Sequence, residues 1–285
     1  MKTKSLSYLI AASLAAVLFF TTMMLRSCLT GEANEFWGDG EPFFEVKEIF
    51  SDERFPNVVV ASDGTVVTSW GRENFRVRRS EDGGESWGPE IKVANPVFQG
   101  GGTTVDENTG DILVFVEADH PPAPLKVFRS KDHGLTWIPE ELIIKPNSLG
   151  HIPSMHMNEH GITLKHGKYA GRLIRPSRYY DEGNDRAYWD KHYTNAIFSD
   201  DGGKTWQASE PFPAMGTGEA TIAELSDGTL YYNSRRHKST DGLNPRMRHI
   251  ARSHDGGHTW EDLSVSKELP DGAQHRDYGL MAGLV

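Results

Sequence analysis

Four copies of one eight-residue phrase constrain this chain more than any other feature: SEDGGESW at 80–87, SKDHGLTW at 130–137, SDDGGKTW at 199–206 and SHDGGHTW at 253–260. All fit Ser-x-Asp-x-Gly-x-x-Trp. From serine to serine they lie 50, 69 and 54 residues apart (80 to 130, 130 to 199, 199 to 253). Recurrence near that length points to one supersecondary unit per repeat. The phrase has the chemistry of a hairpin turn. Its aspartate (Asp82, Asp132, Asp201, Asp255) is suited to accept from backbone N–H groups one or two residues on. Its glycine (Gly84, Gly134, Gly203, Gly257) suits a positive φ. Its tryptophan (Trp87, Trp137, Trp206, Trp260) opens the returning strand and lays a large apolar face over the turn.

The flanks extend the pattern. FRVRR at 75–79, PLKVFR at 124–129, TNAIF at 194–198 and RHIAR at 248–252 read as strands leading into the four phrases. Upstream, NVVVASDGTVVTSW at 57–70, TTVDENTGDILVFV at 103–116 and ATIAELSDGTLYYNS at 220–234 each read as strand, turn, strand. Two hairpins per repeat make a four-stranded antiparallel unit, the blade of a β-propeller. The expectation is an all-β chain in which the four aspartates and four tryptophans are scaffold. With 37% hydrophobic residues the chain can bury a core, and 29 Gly and 15 Pro fit many short strands and turns.

The first thirty residues stand apart. Lys2 and Lys4 precede an uncharged, largely apolar run of 18 residues, Tyr8 to Leu25. Residues 1–30 are expected to be an export signal or N-terminal membrane anchor, 31–40 a linker and 41–285 the folded domain. Cys28, the one cysteine, follows Leu25-Arg26-Ser27 and is a candidate for lipidation. The expected location is therefore outside the cytoplasm: secreted, periplasmic or held at the cell envelope. The formal net charge of −10 argues against a nucleic-acid partner. It leaves room for an anionic small substrate met by local arginines.

Ser-x-Asp-x-Gly-x-x-Trp is the Asp-box, and the chain resembles the bacterial sialidase (neuraminidase) superfamily. ERFPNVVVASDGTVVTSWGR at 53–72, HGITLKHGKYAGRLIRPSRYY at 160–180 and GEATIAELSDGTLYYNSR at 218–235 carry the likeness. It implies a six-bladed propeller with the site at the end away from the Asp-boxes. It also implies three arginines clamping a substrate carboxylate, a tyrosine nucleophile with a glutamate base, and an aspartate acid/base. Guanidinium forks hold a carboxylate without losing their charge. A neutral tyrosine approaches an anionic sugar with little repulsion but needs a base. Position by position, Arg54 matches the first clamp arginine, with Phe55 in place of isoleucine and Pro56 kept. Glu219 matches the base and Arg235 the second clamp arginine, at the two ends of one hairpin, where they can face one site. Arg236 is expected to turn away from that site.

Two departures qualify the likeness. GRENFRVRRSEDGG at 71–84 holds no aspartate before the Asp-box phrase. Either Glu73 takes the acid role, or the acid comes from elsewhere, or the reaction is not the standard hydrolysis. Family spacing places the third arginine and the tyrosine beyond residue 285, so four to five blades are expected here and a C-terminally truncated propeller. His151, His156, His160 and His166 are spaced 5, 4 and 6 apart, which is no metal-ligand pattern. No metal or cofactor is expected. YYDEGNDRAYWDKHY at 179–193 is an aromatic, charged loop able to stack on sugars. The expected function is release of a terminal acidic sugar from a glycan. The alternatives are a lyase or non-sialic glycosidase on the same fold, or a glycan-binding propeller without turnover.

Overall fold

Asp63 and Gly64 close the first hairpin by the expected chemistry. Asp63 Oδ1 accepts from Thr65 N at 3.0 Å, and Gly64 takes a φ of 89°. Asp227 and Gly228 repeat the device, with Thr229 N donating to Asp227 Oδ1 at 2.9 Å. The structure, a computed structural model, describes residues 45–50, 55–154, 160–237 and 247–271. Residues 1–30, expected as an export signal or anchor, with Cys28, the expected linker at 31–40 and Arg54, lie outside the described residues. Among the described residues no helix is long and apolar enough to cross a membrane.

The strands form four sheets in chain order. The first is β1 (Asn57–Val60), β2 (Val66–Trp70), β3 (Phe75–Ser80) and β4 (Ile91–Ala94). The second is β5 (Gln99–Val105), β6 (Ile112–Glu117), β7 (Leu125–Ser130) and β8 (Ile138–Glu140). A short β9 (Ile143–Lys145) then joins the third sheet, whose other strands are β10 (Ile162–Thr163), β11 (Leu173–Tyr179), β12 (Tyr193–Ser199) and β13 (Thr205–Ala208). The fourth is β14 (Ala220–Glu224), β15 (Leu230–Ser234), β16 (Met247–Ser253) and β17 (Glu261–Pro270). Three sheets are the expected antiparallel four-stranded unit. The third gains β9 in parallel beside β13, because the chain runs along its outer edge before entering at β10.

Alternation along the middle strands binds one sheet to the next. In β6, Ile112, Val114 and Val116 pack towards the first sheet, with Phe75, Val67 and Val77. Leu113 and Phe115 pack the other way, with Leu173, Ile197 and Trp206 of the third. Ile174, Ala196 and Phe198 then meet Ile222, Leu230 and Trp260 of the fourth. A strand covered on both faces reads as a near-continuous apolar run, and all six residues of β6 are buried, Glu117 at its end being the one polar member. Each such side chain contributes about 1.5–3 kcal/mol by leaving water.

The Asp-box turns latch neighbouring sheets together. In the third, Asp201 accepts from Thr205 N at 2.9 Å and Thr205 Oγ1 at 2.7 Å, and Ser199 Oγ donates to it at 2.8 Å. The other three aspartates bond Ser86, Thr136 and Thr259 likewise. The amide donor thus lies four residues on, not one or two. Two successive left-handed residues, such as Gly202 and Gly203 at φ 71° and 84°, curl the chain into a wider loop. Burial pushes the Asp132, Asp201 and Asp255 carboxyls up, but the hydroxyl and amide donors outweigh it and hold them below the ordinary 3.8. The Ser86 donors hold Asp82 well below that range.

An arginine of the preceding sheet donates to each later turn: Arg79 Nε to His133 O at 2.7 Å, Arg129 Nη2 to Gly202 O at 2.8 Å, Arg172 Nη1 to Gly256 O at 2.8 Å. A Cβ on Gly203 would stand 2.8 Å from Leu113, and one on Gly257 would overlap Ile174. Trp206 and Trp260 are accordingly buried, while Trp87 and Trp137 are half-buried. The Trp87 turn has no earlier sheet among the described residues to press against.

Candidate active site at the end away from the latches

Antiparallel strands alternate direction, so the β2–β3, β6–β7, β11–β12 and β15–β16 connections emerge opposite the latching turns. There the β14–β15 ladder continues one step past its last strand pair. Gly218 N donates to Arg235 O at 3.2 Å, and Arg235 N to Glu219 O at 2.9 Å. Glu219 and Arg235 are therefore directly opposed. Arg235 Nη1 pairs with Glu219 Oε2, and both side chains are largely buried. The structure thus joins two of the residues singled out in the sequence.

Arg178, near the end of β11, is completely buried. Its Nη2 donates to His192 Nδ1 at 2.9 Å and to His237 Nδ1 at 2.6 Å. His192 Nε2 donates in turn to Gly183 O at 2.8 Å. Burial and the Arg178 charge hold His192 neutral, its pKa lowered to about 4. The Tyr180 ring lies 4.6 Å from the Arg178 guanidinium carbon. Burial drives the Tyr180 phenol well above 10, opposed by Arg178 and reinforced by Glu117 and Glu219. Such a phenol stays protonated and is no ready nucleophile.

Further groups surround these. Ser154 Oγ donates to Glu117 Oε1 at 2.9 Å, and Ser154 exchanges backbone bonds with Arg178 at 2.9 and 3.0 Å. Arg236 follows Arg235 and is expected to turn away from the pair. It is buried, its N–H donating to Asp271 Oδ2 at 2.7 Å, because Asp271 closes over it. Arg248 Nη1 lies 3.4 Å from Asp271 Oδ1. Burial raises the Asp271 pKa against that opposing charge. Trp189, from the aromatic loop, packs tilted by 34° against His237 with ring centroids 4.0 Å apart. It stands on a 3-10 turn, Arg186–Lys191, capped by Asp185.

Glu73 sits exposed on the β2–β3 turn, where its carbonyl accepts from Val97 N at 3.2 Å. That is a different sheet from Glu219. Of the four histidines, His156 lies outside the described residues. His151 stacks on Tyr179 at 3.9 Å and hydrogen-bonds Tyr193 Oη at 2.8 Å, and His160 lines a groove among the inner strands. Among the described residues no cluster of three or more His, Cys, Asp or Glu could hold a metal ion. Arg178, His192, His237 and Asp271 were not singled out from the sequence. RLIRPSRYY carries the arginine, but nothing local says which way each side chain turns.

The arrangement sets a carboxylate beside a guanidinium, with a second guanidinium close by, at one end of the stacked sheets. The pattern of the BNR repeat-like domain matches residues 76–274, and the chain belongs to that family, as a sialidase-superfamily protein with Asp-box repeats. The sialidase of Micromonospora viridifaciens is 28% identical over 274 residues, covering 81% of this chain and 40% of the relative. The solved Hadza microbial sialidase Hz136 superposes with a TM-score of 0.58 at 23% identity, over 76% of this chain and 46% of its own. An α-L-arabinofuranosidase of Fusarium graminearum superposes at 0.50 and 15% identity, over 75% of this chain and 67% of its own. These structural matches speak for the fold. The chain spans less than half the length of both sialidases.

Proposed function

We propose that the four sheets are blades of a six-bladed β-propeller glycosidase that releases a terminal acidic sugar from glycans. The opposed Glu219–Arg235 pair carries this reading. Arg235, with Arg54, would hold the sugar carboxylate, and Glu219 would act as base for a nucleophile outside the described residues. The likeness to a protein named sialidase favours sialic acid as the sugar. Export through residues 1–30 belongs to the same proposal, since such glycans stand outside the cell. The test is free sialic acid, detected by mass spectrometry, after the full-length protein meets a sialylated glycan pool. Release by the native protein and its loss in Glu219→Gln support the reading, and no release by the folded native protein rejects it.

One observation favours a second reading, a lyase or a non-sialic glycosidase on the same fold. The β2–β3 turn is only Gly71-Arg72-Glu73-Asn74, with no aspartate to act as acid. In that case the same glycan pool yields an unsaturated, ultraviolet-absorbing product or a neutral sugar. Under the first reading Glu73 is the candidate acid, and Glu73→Gln retaining full turnover removes it from that role.

A further inference from the structure

Two charged side chains tie the ends of all four strands of the fourth sheet together, directly behind the Glu219–Arg235 pair. Arg248, on β16, and Asp271, just past β17, are both buried. Arg248 Nε donates to Asn233 Oδ1 on β15. Its Nη2 stands 3.5 Å from two carbonyls, that of Asn233 and that of Glu219, one residue before β14. Its Nη1 lies 3.4 Å from Asp271 Oδ1. The other carboxylate oxygen accepts at 2.7 Å from Arg236 N, the amide next to Arg235. Glu219 and Arg235 are thus held from behind by their backbone, one at its carbonyl and the other through the peptide that follows it.

Stability does not account for this ion pair. Two ions taken out of water lose more in hydration than their attraction returns, unless their geometry is excellent. The Arg248–Asp271 contact is long beside the usual charge-assisted bond of about 2.7–2.9 Å. Burial raises the Asp271 pKa even against Arg248, the Arg236 amide and the Arg235 and Arg236 charges. The sheet also has an apolar core of its own, with Ile222, Leu230, Tyr232, Ala251 and Trp260 packed together. A well-packed apolar pair at 248 and 271 would serve the fold as well. It would not supply direction. A guanidinium and a carboxylate point at fixed partners, and a small displacement of a reacting group is costly in rate.

We propose that Arg248 and Asp271 are positioning residues, a strut that aims Glu219 by fixing the ends of its hairpin. This rests on the acidic-sugar reading above, in which Glu219 is the base, and adds to it two residues that touch no substrate.

The test is the apolar double variant Arg248→Met/Asp271→Leu of the full-length protein, which separates aim from stability. Melting curves are recorded beside the rates of sialic acid release from 3′- and 6′-sialyllactose. The double variant is expected to melt at or above the native temperature. Its kcat is expected to fall by about 10- to 100-fold, the scale for a misplaced reacting group, with KM unchanged. A double variant that melts like the native protein and keeps its kcat, whatever its KM, overturns the strut and leaves the acidic-sugar reading standing. A folded native protein that releases sialic acid from neither trisaccharide rejects both. Should the double variant lose its cooperative transition, Asp271→Asn takes its place, since it keeps the shape and weakens the hold on Arg248. A lower kcat at a native melting temperature then supports the strut, and an unchanged kcat overturns it.

Discussion

Arg129 of the second sheet donates from Nη2 to the Gly202 carbonyl of the third at 2.8 Å, while Asp111 and Glu140 of its own sheet grip the same guanidinium at 3.0 and 2.9 Å. One side chain thus ties a hairpin, a strand edge and the next Asp-box. Arg129→Met leaves those partners unanswered. It is expected to cost about 3 kcal/mol, the scale for breaking a buried charged pair. Urea unfolding followed by tryptophan fluorescence measures it, and a loss under about 1 kcal/mol would mean the latch is ornamental.

The second glycine of the Asp-box has two separable jobs. Gly84 and Gly257 both sit at positive φ, 97° and 90°. A Cβ on Gly84 meets nothing nearer than Trp87 at 3.9 Å, whereas one on Gly257 overlaps Ile174. Gly84→Ala should therefore cost about 1–2 kcal/mol of backbone strain alone. Gly257→Ala should add about 1–3 kcal/mol of overpacking. Melting temperatures of the two variants give the order, and equal shifts would contradict the close approach of the sheets.

Stability should fall in two acid windows. Unfolded His192 takes a proton near 6.5 but in the fold resists to about 4, so lowering the pH through that interval favours the unfolded state. His160 and His258, lowered mainly by burial, act in the same direction. The Asp-box carboxyls are held below 3.8, so their contribution is present above that pH and is lost as the pH drops beneath it. Melting temperature against pH should show both slopes, and His192→Asn should flatten the first.

Glu219→Gln should separate chemistry from folding. The amide keeps the shape and can still accept from Arg235, so stability is expected to drop by about 1–3 kcal/mol. Under the proposed role of Glu219 as base, turnover should fall at least about 100-fold. Parallel melting curves and sugar-release rates check the pair. A variant that releases sugar normally would move the base to another residue.

The strands and latching turns were legible because their signals are local. Alternation, Asp-Gly turns and a repeated phrase each act within a few residues. Glu219 and Arg235 were legible for the same reason, since one hairpin brings them together. Arg178 on β11 and His192 at the end of the β11–β12 connection belong to one sheet, and His237 reaches them from the fourth only when the sheets stack, so no spacing announces the three together. β9 stayed hidden because three residues, Ile143–Lys145, cannot carry a period. The burial of Arg236 was not legible, because alternation gives the face of a residue but not what covers that face; here Asp271, far along the chain, does so.

The inter-sheet latches gather at one end of the molecule, each running from an arginine to the next Asp-box carbonyl. Loops at the opposite end are relieved of that duty. They can be trimmed to four residues, as at 71–74, or drawn out into an aromatic arm, as at 179–193, while the sheets stay clasped. A chain built this way can rewrite one rim and leave the other alone.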